Sequence, residues 1–148
     1  MILKRPPKAK KNSSTIHIGW REWISFPNYG GFRLKAKIDT GATLSALHAT
    51  HIEEFKKRSG LWVRFRVYQA KNFITVEKPI LKYRNIRNSF GESQKRPMVK
   101  MEIQLGDHSW ETNVSLTQRS GMIYPMLIGR NSLRKKYIIH PKQSFLLI

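Results

Sequence analysis

The chain has 148 residues and carries 28 lysines and arginines against nine aspartates and glutamates, a formal net charge of +19. This length predicts one domain, and the absence of cysteine excludes a disulfide framework, a thiol nucleophile and a thiolate zinc site. No apolar run approaches the roughly 20 residues that span a bilayer, and residues 1–15 lack the apolar core of a secretory signal, so we expect a cytoplasmic protein without membrane contact.

The positive charge leaves two interpretations open. Such a field attracts polyanions but does not specify a fold, so it indicates either a solvated basic surface or contact with RNA or the ribosome. Neither the aromatic strand of an RRM nor the GXXG loop of a KH domain accompanies the charge. The basic residues are spread widely, with runs at 4–11, 56–58, 95–96 and 134–136.

The first third of the chain predicts a tail followed by a hairpin. Residues 1–15 are basic, poor in apolar side chains and contain two prolines, which predicts a disordered tail before a domain at 16–148. Residues 16–26 alternate as a strand with an irregularity near Gly19. Pro27-Asn-Tyr-Gly-Gly is a strong turn signal, and residues 32–38 alternate again up to Asp39.

The middle of the chain predicts one helix among strands. Residues 50–60 resemble a short helix, with Thr50 as N-cap, acids early, bases late and a glycine stop. Residues 61–69 alternate as a strand, and 74–86 are expected to be extended with a break at Pro79. Residues 88–97 predict a polar loop, and 98–116 a hairpin that turns at Gly106-Asp107.

The last segments complete an all-β prediction. Residues 124–129 predict a buried strand, 130–136 one or two helical turns, and 137–148 a final hairpin around Pro141. Short strands with frequent turn signals favour an all-β, barrel-like domain with one short helix near its end.

Several kinds of catalytic or metal site can be set aside by motif. The G-x-S-x-G elbow, the P-loop and the dinucleotide-binding glycine pattern are all absent. His48 and His51 form an H-x-x-H pair, but zincin helices use H-E-x-x-H, and no third ligand is apparent. A structural or surface role is therefore favoured for these histidines, and we predict neither a metal nor a cofactor.

Asp39 is the remaining candidate for catalysis. A glycine after Asp-Thr lets the backbone turn tightly beside the carboxylate, and the threonine hydroxyl can hold the loop by hydrogen bonds. Two carboxylates held about 3 Å apart share a proton, so that one activates water and the other protonates the scissile carbonyl. Taken alone, Asp-Thr-Gly-Ala is more typical of an Asx-turn between strands.

A second motif changes that balance. Asp39-Thr-Gly-Ala followed by Leu127-Ile-Gly-Arg-Asn-x-Leu resembles the retropepsin-like aspartic proteases, the family of the retroviral proteases. The resemblance implies a closed acid-protease barrel with a short helix after Gly-Arg-Asn. It also implies that Asp39 is the catalytic aspartate, Thr40 belongs to an interlocking threonine pair, and Gly41 and Ala42 line the cleft. The supporting strand and helix start would be Leu127, Ile128, Gly129, Arg130 and Asn131.

The rest of the chain resembles a bacterial branch of this clan. The stretches GWREW, KIDTGATLSALHA, WVRF, RPMVKMEIQLG and LTQRSGMIYPMLIGRNSL look like proteins often labelled "ATP-dependent zinc protease", which are associated with an ATP-grasp ligase that adds glutamate to a ribosomal protein. Neither word of the label is supported here, because cysteine, H-E-x-x-H and an ATP-binding motif are all missing.

Three departures from the viral pattern bear on substrate recognition. Thr43 stands where the viral enzymes usually carry an acid that can pair with the arginine, so Arg130 must find another partner. The stretch between Gly41 and Gly129 is longer than in viral proteases, which indicates an insertion. A glycine-rich flap is not evident, and residues 88–96 are the best flap candidate, with a plain surface loop as the alternative.

A single Asp-Thr-Gly implies that a dyad needs two chains, since a two-fold axis brings the same loop from each subunit together. The first hypothesis is therefore a homodimeric aspartic endopeptidase acting on a peptide or protein, with an acidic or ribosome-linked peptide as the candidate substrate. The second is a catalytically inactive module that binds RNA or the ribosome. Residues 144–148 are either an intersubunit strand or an ordinary core strand.

Overall fold

The all-β prediction is confirmed in the computed structural model, which describes residues 14–87, 89–118 and 123–147. The predicted tail lies outside the described residues except for Ser14 and Thr15. The strands are β1 Ile16–Gly19, β2 Arg21–Phe26, β3 Phe32–Asp39, β4 Ser45–His48, β5 Thr50–Lys57, β6 Gly60–Gln69, β7 Asn72–Pro79, β8 Lys82–Arg87, β9 Ser93–Leu105, β10 His108–Thr117, β11 Met126–Gly129 and β12 Tyr137–His140.

The main sheet curls into a partly closed ring. Its strands run in the order β10-β4-β11-β3-β2-β9-β8, and an additional antiparallel pairing of β9 with β10 returns the sheet to its start. The contact between β2 and β9 is a single register pair, Ser25 with Gln104. Alternating side chains of these strands fill the ring, among them the fully buried Ile24, Leu34, Ile103 and Leu116. This interior supplies the rigid frame for the Asp39 loop.

A second sheet, β5-β6-β7, packs its inner face on the same core through Val63, Phe65, Val67 and Val76, which are all 0% exposed. The helix predicted for residues 50–60 is wrong, because this segment is β5, paired antiparallel with β6. A β-bulge between Thr50 and Glu53 inserts one extra residue. Thr50 as a cap, acids before bases and a glycine stop predict the helix, but these residues instead form a strand that ends in the turn before Gly60.

Two further predictions are corrected at the loops. The polar loop predicted for residues 88–97 is shorter, because β9 already begins at Ser93 and pairs with β8 in a long hairpin. The final hairpin predicted for 137–148 is wrong after β12, because the described residues 141–147 form no strand. The helix expected after Gly-Arg-Asn is a single 3-10 turn, Arg130–Ser132. The other helical segment is a 3-10 turn at Pro27–Tyr29, and nothing helical in the described ranges could cross a bilayer.

A buried carboxylate holds the C-terminal segment in place of strand pairing. Glu22 is 0% exposed. Its Oε2 accepts hydrogen bonds from the backbone N–H groups of Gly19 at 2.6 Å and Leu146 at 2.9 Å, and its Oε1 accepts one from Leu147 at 3.1 Å. Two of the N–H groups that an intersubunit strand would need are therefore already engaged within the chain.

Replacing Glu22 by glutamine should lower the free energy of unfolding by about 1–3 kcal/mol. The amide nitrogen of glutamine cannot accept a hydrogen bond, so the N–H groups that face it lose their acceptor inside the protein. Urea denaturation monitored by tryptophan fluorescence measures this change. The matched control is Glu111→Gln on the exposed face of β10, which should shift the midpoint little. Equal shifts in the two variants would contradict a structural role for Glu22.

Candidate active site

Asp39 is the last residue of β3 and lies beside the end of β11. The two strands are parallel, with Ile38 opposite Ile128 and Asp39 opposite Gly129. Ile38 and Ile128 are buried, Asp39 is half-buried, and the following Thr40 and Gly41 are exposed. The carboxylate therefore stands where the apolar interior ends and the surface loop begins, a position open to a peptide.

The two motif glycines differ in how closely their neighbours approach. A Cβ at Gly41 would lie 3.3 Å from Oδ1 of Asp39, so a side chain there would crowd the carboxylate. A Cβ at Gly129 would lie 2.5 Å from the carbonyl carbon of Leu44, a backbone atom that cannot move aside cheaply. Gly129 thus allows β11 to press against the loop that carries Asp39.

Main-chain hydrogen bonds fasten this loop to the end of β11. The loop closes on itself through the Ala42 N–H, which donates to the Asp39 carbonyl at 3.2 Å. From the 3-10 turn that follows β11, the Arg130 N–H donates to the Ala42 carbonyl at 2.9 Å, and the Asn131 N–H donates to the Thr43 carbonyl at 3.1 Å. We call these contacts between residues 39–43 and 129–131 the loop clasp.

The Arg130 side chain finds a partner other than an acid. Its Nη1 donates to the backbone carbonyl of Thr40 at 3.2 Å. A carbonyl of the Asp39 loop thus takes the place of the carboxylate that Thr43 replaces, and the arginine still ties the two motifs together.

A buried hydroxyl network, which sequence reasoning missed, supports the clasp from behind. Ser45 Oγ accepts from the Gly129 N–H at 3.0 Å and lies 2.5 Å from Ser132 Oγ. Ser132 Oγ is also 2.7 Å from Thr112 Oγ1 on β10. All three hydroxyl residues are buried. Their only sequence signal is a polar residue inside an apolar run, as in Leu44-Ser45-Ala46, which does not reveal a partner.

Of the flap candidate, residues 88–96, the described residues 89–96 fall on the tip and the returning strand of the β8–β9 hairpin, and residue 88 lies outside the described residues. Phe90 near the tip is 87% exposed. At the hairpin base, Tyr83 donates a hydrogen bond to Glu54 of β5. This hydrogen bond, with smaller effects of burial and charge, raises the pKa of Tyr83 to about 12. The hairpin form suits a flap, and a role over the active site stays a prediction.

The two histidines of the H-x-x-H pair do not share a helix face. His48 ends β4, and His51 lies in the bulge of β5 with φ 52° and its Nδ1 2.9 Å from Thr50 Oγ1. Across residues 14–87, 89–118 and 123–147, no group of three or more His, Asp or Glu side chains could hold a metal ion.

The all-β ring and the clasped Asp-Thr-Gly loop define a retropepsin-like protein. Residues 17–148 match the family model described as "RimB-like: Retropepsin-like aspartic endopeptidase RimB". The chain therefore belongs to the RimB-like family of retropepsin-like proteins, as the resemblance of the two motifs predicted.

Curated relatives carry this domain within longer chains. A "Probable alpha-L-glutamate ligase" of Shewanella halifaxensis is 39% identical over 134 residues, 88% of this chain and 29% of the relative. One of the same description from Parasynechococcus marenigrum is 35% identical over 133 residues, 87% of this chain and 28% of the relative. The chain thus spans less than a third of these relatives.

A solved structure is similar over nearly the whole domain. The crystal structure of a protein of unknown function from Legionella pneumophila is 28% identical and covers 90% of this chain and 98% of its own, with a TM-score of 0.76. The same arrangement of strands is therefore found in a separate, solved chain.

Ser45→Ala should destabilise the protein by about 1–3 kcal/mol, because it leaves the buried Gly129 N–H without its acceptor and removes one of the two hydroxyl partners of Ser132. Thermal unfolding followed by circular dichroism measures the loss. Ser109→Ala, at an exposed position of β10, is the matched control and should leave the midpoint nearly unchanged. A Ser45→Ala variant as stable as the control would show that the network does not support the clasp.

Proposed function

We propose that the protein is an aspartic endopeptidase whose active site forms between two copies of the chain, with Asp39 supplied by each. The observation that carries the proposal is the loop clasp, which holds one half-buried aspartate rigidly at an open edge of the ring. The match of residues 17–148 to a family described as aspartic endopeptidases supports the same reading.

In this mechanism the two Asp39 carboxylates lie about 3 Å apart and share one proton, because both cannot be ionised at that distance. The ionised carboxylate takes a proton from a water molecule as the water attacks the peptide carbonyl. The protonated carboxyl donates its proton to the carbonyl oxygen, which gives a tetrahedral diol. The carboxyl that took the water proton then passes it to the amide nitrogen as the C–N bond breaks, and one diol hydroxyl returns its proton to the other carboxylate.

A second copy is needed because the chain has only one other aspartate, Asp107, which is exposed in the turn between β9 and β10. Glu22 is already committed to three backbone N–H groups. Thr40 and Gly41, next to Asp39, are exposed. They form a surface against which the same loop of a second copy can pack around a two-fold axis. Thr40 would then interlock with its symmetry mate.

An acidic peptide is the substrate class that the chain favours. The relatives named as probable glutamate ligases contain a similar domain, which suggests that the two parts of such a protein act on the same glutamate-bearing peptide. In this chain, Lys37 and Arg130 are exposed on either side of the Asp39 loop, and the net charge of +19 attracts an acidic peptide from a distance.

Asp39→Asn should abolish hydrolysis of a susceptible peptide while leaving the thermal midpoint close to that of the wild type, because the half-buried side chain keeps its size. Asp107→Asn, the matched change at the chain's other aspartate, should keep full activity. Peptide cleavage followed by mass spectrometry gives the rates. An Asp39→Asn variant as active as the wild type would refute the proposal.

Mixing tests whether the site is shared. Wild-type protein titrated with an excess of Asp39→Asn should lose activity, because mixed dimers hold only one carboxylate. If each chain carried a complete site, the inactive variant would leave the wild-type rate unchanged.

Cleavage of a glutamate-rich peptide should slow as salt rises, because ions screen the attraction over a distance of about 10 Å at 0.1 M. The same peptide with neutral residues beside the cleaved bond should show little salt dependence. Initial rates across a salt series provide the measurement, and equal salt dependence of the two peptides would remove the argument for an acidic substrate.

A further inference from the structure

We propose that the outer face of the β5-β6-β7 sheet binds single-stranded nucleic acid, a function separate from the proposed peptidase site. We call this surface the aromatic-basic face. It consists of seven side chains on three neighbouring strands: Phe55, Lys57, Trp62, Arg64, Arg66, Tyr68 and Phe73.

The alternation of β6 divides the sheet into two chemically different faces. The inward side chains Val63, Phe65 and Val67 are 0% exposed and belong to the core. The residues between them point away from the core, and the aromatic ones are paired across strands. Trp62 lies opposite Phe55 of β5, and Tyr68 lies opposite Phe73 of β7. Rings and cations thus follow one another along about 20 Å of strand.

At the Tyr68 end of the face, two aromatic rings and an arginine side chain form one cluster. The ring centroids of Tyr68 and Phe73 are 4.9 Å apart. The Arg66 guanidinium lies 4.7 Å from the Phe73 centroid, and its Nη1 donates to the Tyr68 hydroxyl at 3.2 Å. These contacts hold the guanidinium beside the rings, where it can contact a phosphate next to a stacked base.

The Trp62 end repeats the pattern. Lys57 Nζ lies 3.7 Å from the Trp62 ring centroid, and the Arg64 guanidinium lies 5.0 Å from the Phe55 centroid. Arg64 also faces Glu53 and Glu77, each at 3.6 Å, with its side chain 45% exposed. Exposed pairs of this kind are weak, so a phosphate can replace a carboxylate as the partner of Arg64.

Exposed aromatic area is the feature that a basic surface alone does not explain. Phe73, on the outer face of β7, is 46% exposed, whereas Val76, on the inner face of the same strand, is buried. An acidic peptide would need only the cations, whereas every nucleic-acid base has a flat face that stacks on an aromatic ring. In a duplex those faces are covered by neighbouring bases. The combination of rings and cations therefore favours a single strand.

Charge at the ends of the sheet fits a polyanion that runs along it. Lys56, Lys57 and Arg58 follow one another at the end of β5, and Lys71 lies in the turn between β6 and β7. These residues flank the aromatic-basic face at opposite ends and can contact phosphates beyond the stacked bases.

Fluorescence anisotropy with a short labelled oligouridylate tests the stacking. Phe73→Ala should weaken binding roughly fivefold or more, and Phe73→Tyr, which keeps the ring, should restore it. Phe90→Ala, a matched loss of an exposed phenylalanine on the β8–β9 hairpin, should leave binding unchanged. An abasic strand of equal length should bind less tightly than the oligouridylate and should not distinguish Phe73→Ala from the wild type.

A matched pair of charge variants tests the position of the phosphate contacts. Arg66→Gln and Arg134→Gln lower the net charge equally, but only Arg66 belongs to the aromatic-basic face. Arg66→Gln should weaken binding and reduce the salt slope by about one, and Arg134→Gln should do neither.

Three results would overturn the proposal. The first is no binding of the oligouridylate, and the second is an equal effect of Arg66→Gln and Arg134→Gln on that binding. The third is a glutamate peptide whose binding is weakened by Phe73→Ala and Arg66→Gln as much as the binding of oligouridylate is. The last would make the face an acidic-peptide surface. Because Asp39→Asn leaves the aromatic-basic face intact, it should bind oligouridylate normally, so failure of the peptidase proposal and failure of this one can be told apart.

Discussion

The insertion of β11 between β3 and β4 is the constraint on which the rest of the structure depends. β11 is parallel to β3 and antiparallel to β4, so the loop that joins β3 to β4 must pass over the end of β11. Gly129 permits the close approach, and the backbone groups of residues 130 and 131 then bond the loop at two carbonyls. A chain that could not make this crossing would not hold Asp39 at a defined place.

Scarcity of acids makes each carboxylate informative. The Glu22 carboxylate accepts hydrogen bonds from three backbone N–H groups inside the fold. Glu53 and Glu77 lie beside Arg64 on the outer sheet. Asp39 differs because its neighbours are the exposed Thr40 and Gly41 and the half-buried Ala42. Asp39 is thus a carboxylate that the fold leaves beside an exposed loop, whereas Glu53 and Glu77 belong to the rim of Arg64 on the outer sheet.

Regular alternation made much of the fold predictable from sequence. Residues 61–69 and the hairpin at 98–116 each bury one face, so period-two patterns identify β6, β9 and β10. Cap and charge signals misled at Thr50–Lys57, which is a bulged strand. The hairpin predicted after β12 is absent from the described residues, where the Glu22 carboxylate and backbone hydrogen bonds to residues 20 and 21 hold the segment. The Asp39 loop and its Gly129-Arg130-Asn131 support were predicted through their resemblance to known motifs. The hydroxyls of Ser45, Thr112 and Ser132 are far apart in the sequence and meet only in the folded chain, so no local sequence pattern predicts their hydrogen bonds.

Whether two copies of the Asp39 loop complete one site can be measured as the distance between the two Asp39 carboxylates in a crystal structure of the protein. We expect a two-fold axis between the loops and a separation of about 3 Å between carboxylate oxygens. Loops that face solvent separately, with each Asp39 isolated in its own chain, would contradict this expectation.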